Sequence, residues 1–135
     1  MDGWLLTFAL KMKTTDLGIC EWEALVFFGA DPVSRAYGTE WFDSDSVYEV
    51  ARADLNLSCA IHPIHRDVRL ILRCGENVVF EWNAQGLDDI CYIEEKNRTI
   101  LKFISSGRDC TTLQVQPEIT ITRHSKESDA DEPAD

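Results

Sequence analysis

The chain has 135 residues, 44% of them hydrophobic and 27% charged, with 24 acidic and 13 basic side chains and a formal net charge of −11. That is the length of one domain, with enough apolar content to bury a core. The negative sign argues against direct nucleic-acid binding, and no apolar run is long enough to cross a membrane as a helix.

The charge is unevenly placed: residues 1–49 carry a net −6, residues 50–125 a net −1 and residues 126–135 a net −4. An acidic surface suits a basic protein partner, or serves solubility alone. Five cysteines are an odd number with no paired spacing, so no disulfide framework is expected. Cys20, Cys59 and Cys74 fall at apolar-face positions, which suits small buried side chains in a reducing, cytoplasmic compartment. At the N-terminus Asp2 precedes the apolar residues and Lys11 and Lys13 follow them, the reverse of a secretory leader's charge order.

Taken in order, Trp4, Leu6, Phe8, Leu10 and Met12 alternate with their neighbours and predict a first strand. After a turn at Thr14 to Gly18, the alternation of Cys20, Trp22, Ala24, Val26 and Phe28 predicts a second strand. Residues 29–42 are irregular, with turn signals at Asp31-Pro32 and Gly38. Their large aromatics Tyr37, Trp41 and Phe42 either close one end of the core or rim a binding surface. Ser46 and Glu49 fit a capping box, which predicts a short helix from about Val47 to Asp54, with Asp43 and Asp45 at its positive end. Alternation from Leu55 to Ile61 predicts another strand, ended by Pro63.

The clearest signal runs from Asp67 to Asn83. Val68, Leu70, Leu72 and Cys74 share one face of a strand, and Val78, Phe80 and Trp82 share one face of the next. A three-residue loop, Gly75-Glu76-Asn77, keeps the apolar faces together by setting Cys74 opposite Val78, Leu72 opposite Phe80 and Leu70 opposite Trp82. It asks for Asn77 in the left-handed region. A further hairpin spans Ile90 to Ile104 around Lys96-Asn97, with either a two-residue or a three-residue loop. Leu113, Val115, Ile119 and Ile121 share one parity across Pro117, which predicts an edge strand or a bulge there. Residues 126–135 read as a disordered acidic tail after a globular domain over residues 1–125.

Motifs for chemistry are sparse. His62 and His65, with Cys59 nearby, are the one cluster of soft ligands, but their spacing matches no zinc pattern. Cys59 or Cys110 with His65 is the best Cys–His pairing, without a supporting local signature. Asp88-Asp89 and Glu94-Glu95 diverge on a strand, and the glycines are too scattered to form a phosphate loop. No metal or cofactor is expected.

The sequence therefore predicts an α+β to mainly β fold: an antiparallel sheet of about seven strands, curved or folded into a sandwich, with one short helix. In size, acidity, β-rich pattern and lack of catalytic motifs the chain resembles the immunity proteins that bacteria encode beside polymorphic or contact-dependent toxins. The resemblance implies a non-enzymatic protein that blocks a toxin domain, often a nuclease, by occluding its basic site. On that reading Glu21, Glu23, Asp31, Glu40, Asp43 and Asp45 meet the partner, with Tyr37 and Trp41 as anchors. The alternatives are a structural or adaptor β-domain and, third, an enzyme with a site near Cys59, His62 and His65.

Overall fold

A computed structural model describes residues 17–105 and 109–125. The strand expected over residues 4–13 and the acidic tail over 126–135 lie outside the described residues.

Alternating apolar residues build two antiparallel sheets. The first runs in sequence order through β1 (Ser34–Tyr37), β2 (Ser44–Arg52), β3 (Leu55–His62), β4 (Asp67–Cys74) and β5 (Asn77–Ala84). The second runs through β6 (Asp89–Glu95), β7 (Arg98–Ser105), β8 (Asp109–Gln114) and β9 (Thr120–His124). The described residues are thus mainly β with one short helix, as the residue pattern implies, but with nine strands rather than about seven.

The inward residues of both sheets share one core. Tyr48, Leu57, Cys59, Ile61, Val68 and Leu70 come from the first sheet, and Ile90, Leu101, Phe103 and Leu113 from the second. Each large apolar side chain so buried contributes about 1.5–3 kcal/mol relative to exposure. The rings of Trp82 and Phe103 meet across the sheets at 5.6 Å. Arg52 Nε donates to the Val115 carbonyl at 3.0 Å, tying β2 to the turn after β8. Leu87, 2% exposed, plugs the β5–β6 connection.

The central hairpin forms where expected. Leu70 pairs with Trp82, Ile71 with Glu81 and Leu72 with Phe80. Toward the tip a bulge between Leu72 and Arg73 shifts the register, so Cys74 pairs with Asn77 across a two-residue loop. Gly75 takes the positive φ of 63° that had been assigned to Asn77. Since glycine adopts that region without a Cβ penalty, the shorter loop is accessible once a bulge absorbs the odd residue. Glu95 pairs with Arg98 in the β6–β7 hairpin, which selects its two-residue loop.

Three expectations are corrected. Residues Glu21–Phe28 form a helix, α1, and not a strand. Cys20 N–H donates to Glu23 Oε1 at 3.1 Å at its start, and Gly29 closes its end at φ 77°, donating to the Leu25 carbonyl at 2.8 Å. Conversely, the helix expected from Val47 to Asp54 is strand β2, because Ser44, Ser46, Tyr48 and Val50 all face the interior and the backbone pairs on both sides. The run across Pro117 is two strands, β8 and β9, joined by a turn and pairing Leu113 with Ile121; β9 lies at the edge of the described sheet, as the proline implies. All five cysteines are free, but Cys20 and Cys74 are exposed; of the three expected inside, Cys59 alone is buried.

Candidate protein-interaction site

The β1–β2 connection is held by several side-chain hydrogen bonds. Tyr37 ends β1 at φ 68°. A bulky side chain in that region costs on the order of 1–3 kcal/mol, so the surroundings must hold it there. Ser44 supplies part of the hold: its Oγ lies 2.6 Å from the Glu40 carbonyl and 3.2 Å from that of Gly38. Arg35 reaches the Thr39 carbonyl at 3.4 Å. Asp43 Oδ1 accepts the Glu40 N–H at 3.1 Å, starting a 3-10 turn over Trp41–Asp43. The two acids expected to cap a helix thus organise a turn and a strand.

A second 3-10 turn, Pro63–His65, packs against the first. The Tyr37 ring, 79% exposed, stacks on His62 at 6.0 Å with 5° between planes. His62 in turn meets His65 edge-on at 4.5 Å. Beside them Asp45 Oδ2 pairs with Arg69 Nη2 at 3.1 Å, while Asp45 Oδ1 is buried without a hydrogen-bond partner. This corner therefore combines acids, cations and rings. It is not a uniformly acidic patch.

The eight residues expected at an interface separate into groups. Tyr37, Glu40, Asp43 and Asp45 come together at this corner. Trp41 does not present itself as an anchor: it is 5% exposed, and its Nε1 donates to the Tyr48 hydroxyl at 2.9 Å. It closes the core. Glu21 and Glu23 stand in the first turn of α1, and Asp31 is exposed in the loop that follows. Burial, foremost among its causes, pushes the Tyr48 phenol up to about 12. Glu23 acts with Glu94 on the phenol of Tyr92, which burial foremost raises above its ordinary value.

The Cys–His constellation does not assemble. Cys59 is fully buried on the inward face of β3, and strand alternation puts His62 on the other face. Burial also pushes the Cys59 thiol up, which disfavours the thiolate a nucleophile needs. Among the described residues no group of three or more His, Cys, Asp or Glu side chains could hold a metal ion. Sequence reasoning missed Trp22, which is 63% exposed on α1. Glu23 three residues after Cys20, and Gly29 after Phe28, were the signals of a helix that would have turned it outward.

No protein-family model matches the sequence, and no curated protein does. The fold is similar to that of a chain in a solved structure described as a contact-dependent growth inhibition toxin–immunity protein complex from Klebsiella pneumoniae 342. The TM-score is 0.67, with 18% identity over 79% of this chain and 94% of that one. At this identity the likeness is one of fold.

Proposed function

We propose that this chain is a small cytoplasmic binding protein that neutralises a toxin domain by covering its basic site, as an immunity protein does. The observation that carries the reading is the fold likeness to nearly the whole of a chain from a toxin–immunity complex. Such a complex holds both an attacker and its inhibitor, and the charge of −11 favours the second role for this chain. An enzyme that engages nucleic acid needs the opposite sign, whereas a protein that masks such an enzyme benefits from complementing it. Long-range attraction speeds the encounter, and apolar contacts hold the complex. The five free thiols are compatible with a reducing cytoplasm.

The test is protection. The reading frames that flank this chain's gene are placed in turn under an inducible promoter in a laboratory bacterium, with and without this chain. One of them, induced alone, should stop growth, co-expression should restore it, and this chain alone should be harmless; the absence of any toxic neighbour would contradict the proposal. Growth arrest that persists at full co-expression would contradict the proposal, as would arrest caused by this chain by itself.

A further inference from the structure

Reading residues 20–28 as a helix turns one aromatic side chain from inside to outside. On a strand Trp22 and Val26 would share the inward face of Ala24 and Phe28. On α1 the buried residues are Ala24, Phe27 and Phe28, and the opposite side carries Trp22 at 63% exposure, Leu25 at 39% and Val26 at 46%. Residues three and four apart are neighbours on a helix surface, so these three make one apolar strip. Single exposed apolar residues are ordinary, but tryptophan is enriched among the few residues that dominate binding energy, and here it lies in a contiguous apolar strip.

The border of the strip is acidic. Glu21 and Glu23 occupy the first turn, and the last turn carries no base. A second copy of the chain would set these carboxylates against their own kind. A protein with Lys and Arg around an apolar pocket would complement both the centre and the border.

We propose that the outward face of α1 is the docking surface for the toxin partner, with Trp22 entering an apolar pocket and Glu21 and Glu23 meeting basic side chains at its rim. This deepens the proposed function and rests on it, naming the surface through which neutralisation is achieved.

The experiment is calorimetric titration of the full-length chain into the toxin domain that the protection test identifies. Trp22→Ala should weaken binding by roughly tenfold or more. Val26→Lys should do the same, and the double change Glu21→Lys, Glu23→Lys should also weaken binding, most at low salt. Val79→Lys, at a 55% exposed apolar position on β5, is the control and should bind as the parent does. Thermal unfolding of each variant separates loss of contact from loss of fold. If the parent binds and Trp22→Ala and Val26→Lys bind equally well, the surface is wrong while the function stands. If the parent does not bind, the function falls and the surface with it. A parent dimer that Trp22→Ala dissociates in sedimentation would assign the strip to a second copy and overturn the inference.

Discussion

Trp41 Nε1 donates to the Tyr48 hydroxyl at 2.9 Å inside the core, and the Tyr48 ring stacks on Phe28 at 4.5 Å with 12° between planes. One phenol thus joins the 3-10 turn, strand β2 and helix α1. Tyr48→Phe keeps the stack but leaves a buried indole N–H with no acceptor, which costs about 1–3 kcal/mol. Trp41→Ala also opens a cavity and costs about 3–5 kcal/mol. Trp22→Ala, on the exposed side of α1, should stay within about 0.5 kcal/mol. Urea unfolding of the three variants ranks them, and an equal cost at Trp22 and Trp41 would contradict the placement of α1.

Alkaline pH should unfold the protein gradually. Burial, foremost among its causes, raises Tyr48 from 10.0 to about 12. Burial and then the Asp89 carboxylate, whose Oδ2 accepts from the thiol at 3.3 Å, raise Cys91 from 9.0 to about 11. Each group stays protonated in the folded state where the unfolded chain has already lost its proton. The unfolded state therefore binds fewer protons, and stability falls as pH rises, from about 9 to 11 for Cys91 and from about 10 to 12 for Tyr48. Denaturation midpoints across this range should decline, and Tyr48→Phe should flatten the upper part of the decline.

The Asp45–Arg69 pair should respond unequally to loss of its two partners. The Arg69 side chain is 47% exposed and that of Asp45 14%, so the cation is wet and the carboxylate is not. Arg69→Ala leaves a largely buried carboxylate without its cation. Asp45→Ala removes the carboxylate together with its unpartnered Oδ1 and should cost less, within about 1 kcal/mol. Equal losses in the two variants by urea unfolding would argue that the pair is merely a surface contact.

The elements that could be read from residues alone are those whose two faces differ. In β4 and β5 the pairing of Leu70 with Trp82 and of Leu72 with Phe80 follows from alternation, because any other register would expose the apolar face. The bulge at Leu72/Arg73 lies where Cys74 and Val78 are already exposed, so burial no longer dictates register. Residues 20–28 failed because both a period of two and a helical period place Ala24 and Phe28 inside. Residues 44–52 failed in the opposite direction: Ser46 and Glu49 imitate a cap, and the serines at the inward positions hide the alternation that Tyr48 and Val50 continue. β1 has no inward apolar residue, and its pairing with β2 decides its conformation. At the site the same errors had consequences. Trp41 went to the core and Trp22 to the surface, while the meeting of Tyr37 with His62 depends on a turn conformation that no local pattern announces.

Gly38 shows how tightly that turn is built. A Cβ at this position would overlap the Asp43 carboxylate and its backbone carbonyl. Gly38→Ala should displace the 3-10 turn, loosen the stacking of Tyr37 on His62 and lower the denaturation midpoint. Gly29→Ala meets no atom within 4 Å and suffers through its φ of 77° alone. Amide hydrogen exchange should show faster exchange confined to residues near the turn in Gly38→Ala. Unchanged protection would mean that the turn is not held as described.

The proposed neutralisation requires a complex between the acidic chain and a basic toxin domain. The most direct measurement is the stoichiometry and affinity of the purified chain for the toxin domain that the protection test identifies, at low and at moderate salt. A one-to-one complex is expected, its affinity falling as salt screens the opposing charges while an apolar component persists. Absence of a complex at low salt would contradict the account, and a complex indifferent to salt would remove the role assigned to the negative charge.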